Sequence, residues 1–357
     1  FYAITIPFTG VMFLKRQWML GKRFGFITPG EMFADYFRSD TMRILTVIVA
    51  LVFSIPYLGV QLRASGFLFN VLTGGLFPVN AGMWLLSAVV VIYVASGGLR
   101  AVAYVDTMQC LLLAGGIAVI GVITLNYVGG WGPLQEGIFR LAELDQKRTP
   151  DNYSHYIAIP GVIQMVKNGP SAQGGAWTGM MILTYMFALM GIQSAPAFSM
   201  WSFANKNPRP FAPQQVWASS FMIGGILIIF TAIQGLGAHL IGADPVMIAD
   251  GFPNIMQLET GDLMTMPGKQ GMIVPALIYL LKDAAPWLVG LLAVCALAAM
   301  QSTGAAYMST AAGMLTRDLY KRFINPGASH GSQKLIGRIF VVCVTGAALA
   351  VATYSTD

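Results

Sequence analysis

The chain has 357 residues, of which 56% are hydrophobic and only 10% are charged, and its mean hydropathy is +0.65. This composition excludes an ordinary soluble domain and indicates an all-α integral membrane protein that crosses the bilayer several times. The net charge of +6 does not point to nucleic acid, because the basic residues fall at the ends of apolar runs, where they set orientation. Most of the 21 Lys and Arg residues fit on one side, which predicts that this side is cytoplasmic.

Apolar runs that approach or span a hydrocarbon core of about 30 Å alternate with polar segments along the chain. The first run, 1–14, is predicted to be the tail of a span that ends where the basic residues from Lys15 begin. The other predicted spans are 44–74, 83–98, 107–128, 176–204, 216–240, 286–316 and 335–354. Residues 129–174 and 242–270 are predicted outer loops of the same single membrane domain.

A short helix at the membrane surface is predicted for TPGEMFADYF, because Thr28 and Glu31 fit a capping box around a Pro in the first turn. The next run carries a polar interruption at 57–66, which includes Gln61 and Arg63. A base inside a span is a candidate functional residue, since burying it unpaired is unfavourable. Arg63 is therefore interpreted either as the counter-charge of an anionic solute or structural acid, or as a side chain that snorkels to the headgroups.

A second interruption, GIQSAP at 191–196, lies in the middle of the span 176–204. Gly and Pro bracket Gln193 and Ser194 there, and the sequence predicts a broken helix with unpaired backbone groups. Broken helices often form the binding sites of secondary transporters, although a simple proline kink is the alternative. Gln193, Ser194 and the nearby Tyr185 are candidate solute ligands.

The segment 291–323 is a long apolar helix candidate that is rich in small and hydroxyl side chains. Ala299, Ser302 and Thr303 stand at i, i+3 and i+4, which places one carbonyl and two hydroxyl oxygens on one face. Several uncharged oxygens suit a small cation such as Na⁺ where water is scarce. Hydrogen bonding between helices is the alternative interpretation, because Ser and Thr commonly supply it in membrane bundles.

The segment GGLRAVAYVD at 97–106 is predicted to be a polar turn, and Asp106 opens the run that follows it. The helix dipole favours an acid at a helix N-terminus, so capping is one interpretation of Asp106 and cation binding is the other. Neither an HExxH pattern nor a Walker motif occurs in the sequence. The chain is therefore not expected to be an enzyme.

Three motifs together resemble the sodium:solute symporter family. GGLRAVAYVDTMQ at 97–109 is similar to that family's GGLxAVxxTDxxQ signature, except that Val105 stands where Thr is usual. Ser302 and Thr303 are followed by DLYK at 318–321, as in proline/sodium symporters, and TPGEMFADYF resembles the family's segment before its next long helix. The resemblance covers nearly the whole chain.

The resemblance implies a LeuT-type inverted-repeat helix bundle with a solute site at mid-membrane and Na⁺ coupling. On this scheme 44–128 supplies the third to fifth core helices, 176–204 the broken sixth and 291–316 the eighth. The first and last core helices would then lie outside residues 1–357. Ala299, Ser302 and Thr303 correspond to the family's sodium ligands, and Asp106 to an acid linked with a further cation in some members. Val105 removes one hydroxyl from that second position.

The sequence thus predicts a sodium-coupled symporter of a small organic solute that works by alternating access in the plasma membrane, in particular a bacterial inner membrane. Arg63 favours a carboxylate or an amino acid as the solute. Na⁺, the solute and the lipid bilayer are the expected partners, with no organic cofactor and no nucleic acid. The alternatives are a transporter-like sensory module fused to or partnered with a signalling kinase, or an accessory membrane subunit.

Overall fold

The structure is a computed structural model that describes residues 2–148, 179–249, 257–258, 261–262 and 270–354. Within these ranges the chain is mainly helical, and one short antiparallel hairpin pairs β1 (Gln257–Leu258) with β2 (Gly261–Asp262). The helices are, in chain order, α1 (Tyr2–Phe24), α2 (Pro29–Phe37), α3 (Asp40–Leu72), α4 (Val79–Tyr127), α5 (Trp131–Arg148), α6 (Gly179–Met190), α7 (Pro196–Ala204), α8 (Phe211–Gly242), α9 (Pro245–Ala249), α10 (Ile273–Tyr279), α11 (Pro286–Met314) and α12 (His330–Tyr354). A π-helical segment, Leu315–Ile324, extends α11, and further π-helical stretches lie within α8 at Gln214–Ile223 and Leu227–Thr231.

Large apolar side chains cover the outside of the long helices as well as the inside. Val52 on α3 is 69% exposed, and Ile92 and Leu111 on α4 are 68% and 72% exposed. Soluble proteins rarely expose so much apolar surface, because the hydrophobic effect opposes it, whereas lipid accommodates it. Among the described residues, six helices are long and apolar enough to cross a membrane. The predicted all-α, multi-pass architecture is therefore confirmed.

Two large clusters of buried apolar side chains hold the bundle together. One joins α3, α4, α11 and α12 around residues such as Leu58, Met83 and Met308. The other lies towards the opposite ends of α3 and α4 and adds α5, α8 and α10, with Leu134 and Ile241 fully buried in it. Since α3, α4 and α11 contribute to both clusters, these three helices are the frame on which the candidate sites are built.

The prediction that the first helix ends at residue 14 is wrong, because α1 continues to Phe24. The basic stretch after Leu14 is made of good helix formers, and its buried positions Leu14 and Gly21 lie on one face. Lys15, Arg16 and Lys22 are exposed on the other side. The apolar run 1–14 therefore gives the length of the hydrophobic part of α1, and the helix itself continues beyond it.

The predicted interruptions at 57–66 and 97–106 are also wrong in extent. The helix α3 is continuous through the first, where the Ser65 hydroxyl donates to the Leu62 carbonyl (2.6 Å). Helical geometry in the second is lost only at Gly98, whose φ of 62° and ψ of −165° suit a residue without a side chain. One glycine is thus enough to kink α4, and both sides of the kink remain helical.

The predicted outer loops are only partly within the described residues. Within 129–174, the helix α5 covers Trp131–Arg148, so the predicted loop begins with a helix. Arg140 of α5 contacts the buried Asp244 carboxylate at 2.6 Å and so fixes α5 against the end of α8. Most of 242–270, the rest of 129–174 and the start of the run 176–204 lie outside the described residues.

The predicted capping box of α2 is confirmed. The Thr28 hydroxyl accepts a hydrogen bond from the Glu31 amide (3.1 Å), and the Glu31 carboxylate accepts one from the Thr28 amide (3.4 Å). Arg38 ends the helix in a left-handed conformation with φ of 49°. These local signals make α2 a short rigid helix that can dock as a unit.

An ion-pair network docks α2 and the start of α3 onto the segment that extends α11. The fully buried Asp318 carboxylate accepts hydrogen bonds from the Thr28 hydroxyl (3.0 Å) and from Arg43 (3.2 Å). Arg317 pairs with Glu31 at 2.8 Å. A Cβ atom at Gly30 would lie 2.8 Å from the Asp318 carboxyl group, so only glycine permits this approach. The TPGE and DLYK motifs are therefore two halves of one contact.

Replacing Asp318 with Ala should lower the free energy of unfolding by about 3 kcal/mol, because it leaves Arg43 without its buried partner. Arg322→Ala is the matched control, since it removes an ion pair with Asp40 in which both side chains are about half exposed. That change should lower the free energy of unfolding much less, because solvent screens an exposed ion pair. Denaturant unfolding in detergent measures both, and equal losses would contradict a special role for Asp318.

Candidate cation and solute site

The oxygen atoms of Ala299, Ser302 and Thr303 lie together on one side of α11. The Ser302 hydroxyl is 3.1 Å from the Ala299 carbonyl oxygen, and the Thr303 hydroxyl is 3.3 Å from the same oxygen. Ser302 and Thr303 are half-buried, so neither is sealed within the apolar core. The helix thus gathers three uncharged oxygens, the ligand type that a hard cation prefers.

The same geometry recurs two turns further along α11. The hydroxyls of Ser309 and Thr310 lie 3.0 and 2.8 Å from the Ala306 carbonyl oxygen. Hydroxyl groups commonly make such bonds to the preceding turn of a helix, so this arrangement by itself does not distinguish a cation site from packing. The groups around Ala299, Ser302 and Thr303 must therefore distinguish a cation site from packing.

A polar junction between α4 and α11 lies directly beside the first trio. The Tyr93 hydroxyl donates to the Gln301 backbone carbonyl (3.2 Å), and the Gln109 side chain donates to the Gln301 side-chain oxygen (2.9 Å). Gln109 is 7% exposed, and its own amide oxygen has no hydrogen-bond partner in the described part of the chain. Sequence reasoning missed Tyr93, although Gln109 belongs to the signature that pointed to this region.

Asp106 lies at this junction, but it does not open a helix. The second half of α4 begins just after Gly98, so Asp106 is two turns inside the helix and the capping interpretation is wrong. The side chain is half-buried, and its Oδ1 atom lacks a hydrogen-bond partner among the described residues. Asp106 lies one turn before Gln109 on α4, and Gln109 bonds the Gln301 side chain next to Ser302. The structure therefore connects Asp106 with the surroundings of the trio.

The helix break predicted at 191–196 is confirmed. A 3₁₀ turn, Gly191–Ser194, ends α6, and Ala195 is extended with ψ of 145° before α7 starts at Pro196. The break frees backbone groups that α1 then pairs, because the Gln17 side chain donates to the Gln193 carbonyl (3.1 Å). The Gln193 side chain donates in return to the Ile6 carbonyl (3.1 Å).

These two hydrogen bonds fix the orientation of the side-chain amide groups of Gln17 and Gln193. Since each amide nitrogen faces a carbonyl oxygen, the side-chain oxygens of Gln17 and Gln193 point elsewhere. Both oxygens are buried and have no hydrogen-bond partner in the described ranges. The break is thus lined by two acceptors that an N–H or O–H donor of a ligand can satisfy. Sequence reasoning missed Gln17, which stands as a lone amide within a basic stretch.

The remaining candidates do not share this location. Ser194 and Tyr185 are exposed on α6 and its 3₁₀ turn. Gln61 and Arg63 are half-buried on α3, and the Arg63 guanidinium lies 5.7 Å from the centre of the Phe67 ring. Phe67 in turn packs against Gly271, just before α10. The structure therefore brings Gln193 to α1, whereas Arg63 lies with Phe67 near the end of α3.

A match to a family model identifies the protein family of this helix bundle. A family model described as "Sodium:solute symporter family" matches residues 2–356. The chain belongs to the sodium:solute symporter family. The resemblance of the three motifs is thereby confirmed, and the family is one of Na⁺-coupled transporters, which agrees with the expectation that the chain is not an enzyme.

Two relatives in the sodium:solute symporter family are named as transporters of an amino acid and of monocarboxylic acids. The chain is 24% identical over 318 residues to the high-affinity proline transporter PutP of Bacillus subtilis, covering 88% of this chain and 56% of the relative. It is 24% identical over 331 residues to a monocarboxylic acid transporter of Corynebacterium glutamicum, covering 90% of this chain and 54% of the relative. The chain thus spans about half the length of the curated relatives it matches.

The fold is shared with a solved symporter. The structure of a Na⁺-coupled sialic acid symporter in a substrate-bound, outward-open state superposes with a TM-score of 0.72 at 15% sequence identity. The match covers 99% of this chain and 68% of that chain. The expected LeuT-type helix bundle is therefore confirmed.

Replacing Gln17 with Leu should loosen the helix break, because the Gln193 carbonyl loses one of its donors. One hydrogen bond contributes about 1 kcal/mol, so amide hydrogen exchange at 191–195 should become roughly fivefold faster. Ser202→Ala is the control, since the Ser202 hydroxyl bonds the Leu14 carbonyl (2.8 Å) and joins α1 to α7 away from the break. Equal acceleration at 191–195 in both variants would contradict a local role for Gln17.

Proposed function

We propose that this chain is the transporting part of a sodium-coupled symporter that moves a small organic solute by alternating access across a bacterial plasma membrane. The observation that carries the proposal is the oxygen trio of Ala299, Ser302 and Thr303 beside the polar junction of α4 and α11. An apolar helix bundle with uncharged oxygens at mid-helix and a broken partner helix suits cation-coupled transport. Asp106 is proposed as a second cation ligand, because it lies one turn before Gln109, which bonds Gln301 at the same junction.

The solute is proposed to contact the broken helix at Gln193 and Ser194. The orphaned amide oxygens of Gln17 and Gln193 favour a solute with an N–H or O–H donor. Proline and monocarboxylic acids are the substrates named for two of the relatives, and both contain a carboxylate. An amino acid or a hydroxylated organic acid combines the two features. Among the described residues no contact favours the sensory or accessory-subunit alternatives.

The sodium site is tested by removing hydroxyl groups in matched pairs. Ser302→Ala and Thr303→Ala should each weaken Na⁺ binding by about tenfold or more, because a cation loses one of few oxygen ligands. Ser309→Ala and Thr310→Ala are the controls, since they remove the same bonds to a preceding carbonyl two turns away. Na⁺ titration of the full-length protein, followed by intrinsic Trp fluorescence, gives the affinities. A similar loss in both pairs would indicate packing and not a sodium site.

The carboxylate preference is tested at Arg63. Arg63 does not lie at the helix break, so this variant tests the separate hypothesis that Arg63 is the counter-charge of the solute. On that hypothesis Arg63→Gln should weaken binding of a carboxylate solute by about tenfold, because a charge-assisted contact is lost, while Na⁺ affinity changes little. Proline and lactate serve as carboxylate probes, and an uncharged sugar serves as the control ligand in the same equilibrium-binding assay. Unchanged carboxylate affinity would show that Arg63 instead serves to anchor the end of α3.

A further inference from the structure

A cleft lined by positively charged side chains lies where α4, α11 and α12 meet. It is at the end of the bundle that carries most of the basic residues. Its volume is about 340 Å³, and its wall includes the kink of α4 at Gly97 and Gly98 and the hydroxyl-bearing end of α11. Three basic side chains line it: Arg317, Lys334 and Arg338. No acidic residue lines it within the described part of the chain.

The basic side chains of this cleft differ from the other arginines of the network nearby. Arg317 is already paired with Glu31, and Arg43 and Arg322 also have acidic partners. Lys334 and Arg338, by contrast, have no ion pair with any described acid. Two cations that share an acid-free cleft repel each other, so the arrangement favours an anion between them.

Arg338 is held in a position from which it can bind such an anion. Its Nε atom donates to the Ala95 carbonyl (2.9 Å), at the end of the first half of α4. No hydrogen bond to a described residue uses its two terminal nitrogen atoms, so they remain available as a planar pair of donors. The kink at Gly98 leaves space beside them, because no heavy atom lies within 4 Å of where its Cβ would be.

A second cavity in the same region serves as an internal comparison. It has a volume of about 510 Å³ and lies between α2 and the segment that extends α11. Four arginines line it, but so do Glu31, Asp35 and Asp40, so its charges are compensated within the chain. Of these two cavities, the cleft at Lys334 and Arg338 is the one that combines space with uncompensated positive charge.

From these observations we propose that the cleft binds a phosphate group, as carried by the headgroup of an anionic phospholipid or by free phosphate. Basic pockets between membrane helices on the cytoplasmic side are suited to anionic headgroups, because the negative surface of that leaflet lies at the same level. The cleft opens at the ends of three membrane helices, where a headgroup can enter from the side. A bound phosphate would cross-link α4 to α12 through Arg338, beside the Gly98 kink.

The proposal is tested by native mass spectrometry of the full-length protein with phosphatidylglycerol or phosphatidylcholine. The double variant Lys334→Gln/Arg338→Gln should bind phosphatidylglycerol roughly thirtyfold more weakly, because two direct contacts to the bound phosphate are lost, each contributing about a factor of five. Lys15→Gln/Arg16→Gln is the control with the same charge change, at exposed positions of α1 outside the cleft. It should leave the affinity within about twofold of the original.

Free phosphate is the second arm of the experiment. Inorganic phosphate is added to the original protein in lipid-free detergent. If it protects that protein against unfolding and does not protect the double variant, the cleft is assigned to a soluble phosphate. Selective retention of phosphatidylglycerol without such protection would assign it to the lipid. The conservative variant Lys334→Arg, which keeps both charges and leaves the Arg338 guanidinium in place, should keep the binding. Equal loss in the control, or no preference for either phosphate source over phosphatidylcholine, would overturn the proposal.

Discussion

Polar groups inside an apolar bundle must be paired within the protein, and the architecture depends on this constraint at each candidate site. A buried polar group without a partner costs several kcal/mol where water cannot reach it. The break between α6 and α7 creates such groups in the middle of a helix pair. Gln17 of α1 donates to the Gln193 carbonyl of the break, and the Gln193 side chain donates to the Ile6 carbonyl of α1, so the break becomes a defined feature of the bundle.

The same constraint gives the oxygen trio of α11 its setting. Ser and Thr hydroxyls bond to the preceding turn at two places on this helix, and both places have nearly the same geometry. Only the first place lies beside Gln301, whose carbonyl and side chain are held by Tyr93 and Gln109 of α4. Orphaned oxygens at Asp106 and Gln109 lie at this junction, where a cation would find further ligands. The neighbours of the trio, more than the trio itself, therefore favour a sodium site.

Local chemistry made much of the fold predictable from the sequence. The capping box at Thr28, the break at 191–196 and the long apolar runs all rest on short-range signals, and the structure contains each of them. Helix ends were predicted less well, since hydrophobic length does not show where a helix with exposed Lys and Arg stops. At Gly98 the polar segment suggested a turn, although one positive φ angle sufficed to kink the helix. Contacts between distant segments, such as Gln17 with Gln193 or Gly30 with Asp318, carry no local signal and needed the structure.

Solute movement through this protein is proposed to be driven by a sodium gradient. Uptake of radiolabelled proline and of a labelled monocarboxylate into proteoliposomes of the full-length protein measures this directly. An inward Na⁺ gradient should drive accumulation of at least one of these solutes above its equilibrium level, and replacing Na⁺ with choline should abolish that accumulation. Accumulation that is indifferent to both Na⁺ and H⁺ gradients would contradict the claim.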